Sequence, residues 1–128
     1  MATEILIVDD APNIVLSLEF LMKKEGFSVR SVADGEEALK AVADKKPDLI
    51  LLDVMMPKRN GYEVCETIRA NPQWQGIRII MLTAKGRNVE QEKGLALGAD
   101  DYVTKPFATR ELVLKVKELL GLPTEGTP

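Results

Sequence analysis

The sequence predicts an α/β domain built around a parallel sheet. Short β-rich apolar runs alternate with longer stretches whose apolar residues recur every three or four positions, and the pair of patterns repeats five times. The first and third runs, Ile5–Val8 and Leu49–Leu52, are apolar without a break, as expected of strands covered by helices on both faces. Short links between strands and helices imply right-handed crossovers.

Taken in order, the first strand is Ile5–Val8. Pro12 suits the first turn of the helix that follows, and Ile14, Leu18, Leu21 and Met22 form its apolar stripe. Gly26 stands where that helix should stop. The second strand is Ser28–Val32. Asp34 with Glu37 reads as a capping box for a helix marked by Leu39 and Val42. Leu49–Leu52 is the third strand, and Val64 with Ile68 marks the third helix. Ile77–Leu82 is the fourth strand, and Leu95 lies in a fourth helix that Gly98 ends. Tyr102–Val103 is the fifth strand. Thr109 is placed to cap the last helix, whose stripe is Leu112, Val116, Leu119 and Leu120 and whose stop is Gly121. The expected division is one domain over residues 1–121, with 122–128 as a flexible tail or the start of a linker, since Gly, Pro and Thr dominate there.

Composition narrows the function. The 128 residues fit one compact domain, and 45% hydrophobic content is enough for one core. The net charge of −3 offers no basic excess to hold a phosphate backbone, so direct nucleic-acid binding is not expected. No apolar run approaches the ~20 residues of a membrane span. Cys65 is the single cysteine, so an internal disulfide is excluded and a reduced thiol in the cytoplasm is the expected setting. The chain has no histidine. Acid–base or phosphoryl chemistry must therefore run on Asp, Lys, Thr, backbone and metal.

The polar residues that close the strands carry the chemistry. Asp9 and Asp10 follow the first, Asp53 the third, Thr83 the fourth and Lys105 the fifth. In a parallel sheet these ends share one edge, where ligands bind in open α/β folds. Three clustered acids repel one another unless a cation sits among them, and oxygen ligands alone suit Mg²⁺ or Ca²⁺. Each residue also has a plainer role available, as a cap, a strand end or a turn. Met55 and Met56 could be core filler, Tyr102 a half-buried strand aromatic, and Cys65 a small residue on a helix face.

The segments ILIVDD (5–10), DLILLDVMMP (48–57), NG (60–61), MLTA (81–84) and GADDYVTKPF (98–107) resemble the receiver domain of two-component response regulators. The resemblance spans nearly the whole chain. It implies a flavodoxin-like (βα)5 domain with a five-stranded sheet of order 2-1-3-4-5. Asp53 is then the phosphoacceptor. Asp9, Asp10, Asp53 and the Met55 carbonyl hold Mg²⁺, for which Mn²⁺ substitutes. Lys105 and Thr83 contact the phosphoryl group, and Lys105–Pro106 is a cis peptide. Thr83 and Tyr102 form a switch that alters the face made by the fourth helix, fifth strand and fifth helix. The implied donor is the phosphohistidine of a sensor histidine kinase or a histidine phosphotransfer protein. The implied reader is a target protein or output domain. Weak self-phosphorylation and self-dephosphorylation also follow, tuned by Met55 and Lys85. Glu92, Lys93, Asp100, Asp101 and Lys115 resemble the charges of a receiver homodimer face.

Stand-alone receiver and excised receiver of a longer DNA-binding regulator are both open at this level, as is a pseudo-receiver that takes no phosphate. Two other classes fit less well. A haloacid-dehalogenase-type phosphatase wants acids two apart on the first strand, but Asp9 and Asp10 are adjacent and position 11 is Ala. A flavin carrier wants a Ser/Thr/Gly-rich loop where this chain has Asp10-Ala11-Pro12-Asn13.

Overall fold

A computed structural model describes residues 3–56, 60–84 and 88–122. The elements alternate as β1 (Glu4–Val8), α1 (Pro12–Lys24), β2 (Ser28–Val32), α2 (Gly35–Asp44), β3 (Leu49–Asp53), α3 (Gly61–Ala70), β4 (Arg78–Ala84), α4 (Asn88–Ala96), β5 (Asp101–Lys105) and α5 (Thr109–Leu120). A single 3₁₀ turn, Pro72–Trp74, joins α3 to β4. All strand pairs are parallel, in the order β2-β1-β3-β4-β5.

Burial follows position in the sheet. The central β3 is buried at every residue, whereas the edge strands β2 and β5 are mostly half-exposed. Alternate side chains feed two cores. Leu6, Val8, Ile50, Leu52, Ile79 and Met81 pack with Val42 of α2 and Val64 and Ile68 of α3. Ile5, Ile7, Leu49, Leu51, Ile80 and Leu82 pack with Leu18 and Met22 of α1 and Leu112 and Val116 of α5. Cys65 lies in the first core, and burial pushes its thiol up to about 11.

The strands run past their apolar stretches. β3 takes in Asp53, β4 runs on to Thr83 and Ala84, and β5 covers Asp101–Lys105 instead of two residues. The backbone ladder continues where the hydrophobic pattern stops, and this puts the polar residues on rigid strand ends.

The helix caps depart from expectation in two places. Asp34 accepts from the Glu37 amide at 2.8 Å, but the Glu37 carboxylate takes the Ala33 amide at 3.3 Å, so that box does not close on Asp34. Thr109 is the first helical residue of α5, and Ala108 occupies the cap without a side-chain bond. The closed capping box belongs to α3, where Asn60 and Glu63 exchange bonds of 3.0 and 3.1 Å. Gly98 turns with φ +113°, and a Cβ there would stand 2.6 Å from Arg69 Cγ. That close approach lets Arg69 Nε donate to the Gly98 carbonyl at 2.8 Å.

Candidate functional site

The parallel sheet delivers four polar strand ends to one edge. Val8 pairs with Leu52, so Asp9 and Asp53 leave adjacent strands side by side. Asp53 pairs with Leu82, which puts Thr83 one step further out, and Ala84 pairs with Lys105. Asp9, Asp53 and Thr83 are buried, and Asp10 is exposed.

Lys105 holds the acids together. Its ammonium donates to Asp9 Oδ2 at 2.8 Å and lies 3.3 Å from Asp53 Oδ1. The other Asp9 oxygen accepts the Ala11 amide at 2.9 Å, and Asp53 Oδ1 accepts the Met55 amide at 3.4 Å. Burial works against the Lys105 charge, but the bond to Asp9 and the charge of Asp53 outweigh it, so its pKa is raised. For Asp53, burial and then the Asp9 charge push the carboxyl from 3.8 up to about 6, against the opposing pull of Lys105. The pocket therefore holds more negative charge than one ammonium balances.

Asp9, Asp10 and Asp53 each offer a carboxylate oxygen, all within 4.8 Å of one another. An all-oxygen set of this charge fits a hard divalent cation. The Thr83 hydroxyl is buried and has no hydrogen-bond partner among the described residues. An unpaired buried hydroxyl is costly, and it marks a place where an acceptor oxygen fits.

Gly61 supports the site from behind. Its amide donates to the Val54 carbonyl at 3.0 Å, closing the loop after β3. A Cβ at Gly61 would stand 2.3 Å from the Asp53 carbonyl oxygen. Only glycine lets α3 begin this close to the acidic strand end.

The profile of the response regulator receiver domain matches residues 5–117. The chain belongs to this family. As a receiver domain it is a component of two-component signalling. It is similar to the receiver domain of a signal transduction histidine kinase from Syntrophus aciditrophicus, with 35% identity and TM-score 0.88 over 99% of this chain and 98% of that one. It is also similar to the receiver domain of sensor histidine kinase PA1611 from Pseudomonas aeruginosa PAO1, described with magnesium coordinated in its active site cleft. That pair is 33% identical at TM-score 0.87, over 94% of this chain and 99% of that one. A third relative is the chemotaxis response regulator CheY4 of Vibrio cholerae, with 29% identity and TM-score 0.87 over 93% of this chain and 99% of that one.

The receiver fold thus gathers Asp9, Asp10, Asp53, Thr83 and Lys105 at one edge. Met55 is 68% exposed above it, so its side chain is not core filler. The Lys105–Pro106 peptide is cis. Tyr102 is half-buried on β5, with the Lys115 ammonium 5.1 Å from its ring centre. Lys85 and residues 123–128 lie outside the described residues. The charges expected at a homodimer face are largely engaged inside the chain. Asp100 pairs with Arg69 at 2.9 Å, Asp101 with Lys115 at 3.2 Å, and Lys93 sits 4.4 Å from the centre of the Tyr62 ring. Gly61 and the Asn60–Glu63 box were visible in sequence only as an NG pair. Their supporting role depends on a contact with Asp53 that spacing does not reveal. Among the described residues no helix is long and apolar enough to cross a membrane.

Proposed function

We propose that this receiver accepts a phosphoryl group on Asp53 in a Mg²⁺-dependent transfer and reports it through the α4–β5–α5 face. The observation that carries the proposal is the buried Thr83 hydroxyl, without a hydrogen-bond partner among the described residues, beside an acid cluster clamped by Lys105.

The donor is a phosphohistidine outside this chain, which has no histidine of its own. It belongs to a sensor histidine kinase or a histidine phosphotransfer protein. An Asp53 carboxylate oxygen attacks phosphorus, the P–N bond breaks, and its electron pair returns to the imidazole, leaving an aspartyl phosphate. Lys105 swings from its carboxylate partners to the phosphoryl oxygens as a point charge. The Thr83 hydroxyl donates to a phosphoryl oxygen. Asp9, Asp10, Asp53 and the Met55 carbonyl would hold Mg²⁺ or Mn²⁺, which supplies charge neutralisation for in-line transfer.

Phosphorylation leaves a group of about −1.5 to −2 charge where one carboxylate stood. Drawing Thr83 toward it frees space into which Tyr102 turns, and the α4–β5–α5 face changes for a target protein or output domain. The same architecture occurs as a part of histidine kinases and as a chemotaxis regulator matched over 99% of its chain. Both an independent receiver and one attached to a DNA-binding output fit this site. The receiver unit is assigned to residues 1–121, with 122–128 as tail or linker, and the single buried thiol suits the cytoplasm.

Incubation with acetyl phosphate and Mg²⁺, followed by peptide mapping, should place one phosphoryl group on Asp53. Asp53→Asn should take none, and an undiminished label in that variant rejects the assignment. The exposed thioether of Met55 orients no attacking water, so Met55→Asn should shorten the phosphate lifetime. Equal decay of the two proteins counts against that role.

A further inference from the structure

We propose that Lys115 is a positioning residue that holds the Tyr102 ring in its resting orientation and so sets how readily the switch turns. The proposal deepens the reading of Tyr102 as the moving aromatic and rests on it.

Four contacts meet at one ammonium. Lys115 Nζ donates to the Tyr102 carbonyl at 2.7 Å and to Asp101 Oδ1 at 3.2 Å. It lies 3.9 Å from Glu111 one turn earlier on α5, and 5.1 Å from the centre of the Tyr102 ring. The Lys115 side chain is only 22% exposed, so these contacts are partly shielded from water and salt. Tyr102 belongs to the edge strand, with β4 on one side and, among the described residues, no strand on the other. Its backbone is therefore tied down by α5 where a neighbouring strand would otherwise do so.

One cation thus grips both the main chain and the aromatic face of a single residue. The carbonyl bond fixes where the ammonium stands, and the Asp101 pair keeps it there. The ring is attracted to that fixed charge only while its face is turned toward it. Rotation toward Thr83 forfeits the attraction but leaves the carbonyl bond and the ion pair intact. The contact therefore favours the resting orientation without strengthening the fold equally in both states. It also gives the same lysine a use that competes with intermolecular pairing.

The test reads the ring directly. The full chain is labelled with 3-fluorotyrosine, and its two tyrosine signals are assigned with Tyr62→Phe. Spectra are taken alone and with Mg²⁺ plus beryllofluoride as the phosphoryl mimic. Lys115→Met keeps the aliphatic stem and removes the charge. It should move the Tyr102 signal of the mimic-free protein, raising the share of turned ring about two- to fivefold, the range expected from losing one cation–π contact. Lys115→Arg should restore the resting signal. Labelling of Asp53 by acetyl phosphate should stay within about twofold in both variants, because Lys115 touches none of the reacting groups. A Tyr102 signal unmoved by Lys115→Met, or moved equally by Lys115→Arg, overturns the proposal. Should Lys115→Met not fold, Asp101→Asn loosens the same ammonium while keeping a side-chain oxygen. A smaller shift in the same direction is then expected, and no shift overturns the proposal. If the parent protein's Tyr102 signal ignores the mimic but still responds to Lys115→Met, the aromatic-switch reading fails while the anchoring role stands.

Discussion

Asp53 is held in a state of electrostatic tension that the free protein can relieve only with protons or a cation. Its carboxyl titrates near 6 instead of 3.8. Above pH 6 the folded protein carries a carboxylate that the unfolded chain accommodates with less penalty. Below pH 3.8 the group is protonated in both states and the penalty is gone. Its contribution to stability therefore rises as pH falls from 7 toward 4, by about 1–3 kcal/mol for a shift of this size. In chelator, Asp53→Asn should melt higher than the parent at pH 7, and the gap should close near pH 4. A variant that melts lower at pH 7 contradicts the origin of the shift. That an acid closes this buried strand was legible in sequence, whereas its role as phosphoacceptor came only with the family resemblance. Its protonation was not legible, because that depends on a burial and a distance to Asp9 that only the folded sheet creates.

At the scale of elements, α3 connects the site to the rest of the fold. Its first residue, Gly61, touches the Asp53 carbonyl, and its last turn carries Arg69, which bonds the Gly98 carbonyl and Asp100. Asp100 in turn accepts the Ile79 amide of β4 at 2.8 Å. The helix is therefore fixed at both ends, by a closed cap and by a guanidinium clamp. Asn60→Ala removes the side-chain acceptor of that cap and should lower unfolding free energy by about 1 kcal/mol in urea titration. A loss of that size with phosphoryl uptake preserved fits a cap whose work is mechanical. An unchanged midpoint refutes its contribution. Helix and strand periodicity found all ten elements and their order in the chain, but helix ends were less readable. Thr109 and the Glu37 half of its box carried the right chemistry in the wrong register, because a one-residue shift decides which amide is free. Leu95, the residue that marked α4, is itself 43% exposed, so this helix was found by a residue that lies largely outside the core.

For the whole molecule, five parallel strands make the site a property of topology, since no two of its residues on different strands are closer in sequence than Thr83 and Lys105. Strand order could not be obtained from periodicity, because the pattern says that a strand is buried but not beside which neighbour. It came from the family resemblance and agrees with the sheet. A divalent cation that binds only the folded sheet should stabilise all of it together. Saturating Mg²⁺, at about 100 times its dissociation constant, adds ~2.7 kcal/mol. The melting temperature at pH 7 should thus rise with Mg²⁺ and fall back on chelation, and the rise should shrink in Asp10→Asn. An Mg²⁺ response unaltered in that variant places the ion elsewhere.

The placement of Cys65 has a consequence for the kinds of message the protein can register. Its side chain is sealed beneath α3 beside the Leu97 carbonyl, and its proton is held too firmly for a thiolate to form near neutrality. Oxidants and alkylating agents act on the thiolate. The Cys65 thiol therefore gives peroxide and electrophiles little to react with, and the sulfur open to oxidation near the acidic strand ends is the exposed thioether of Met55.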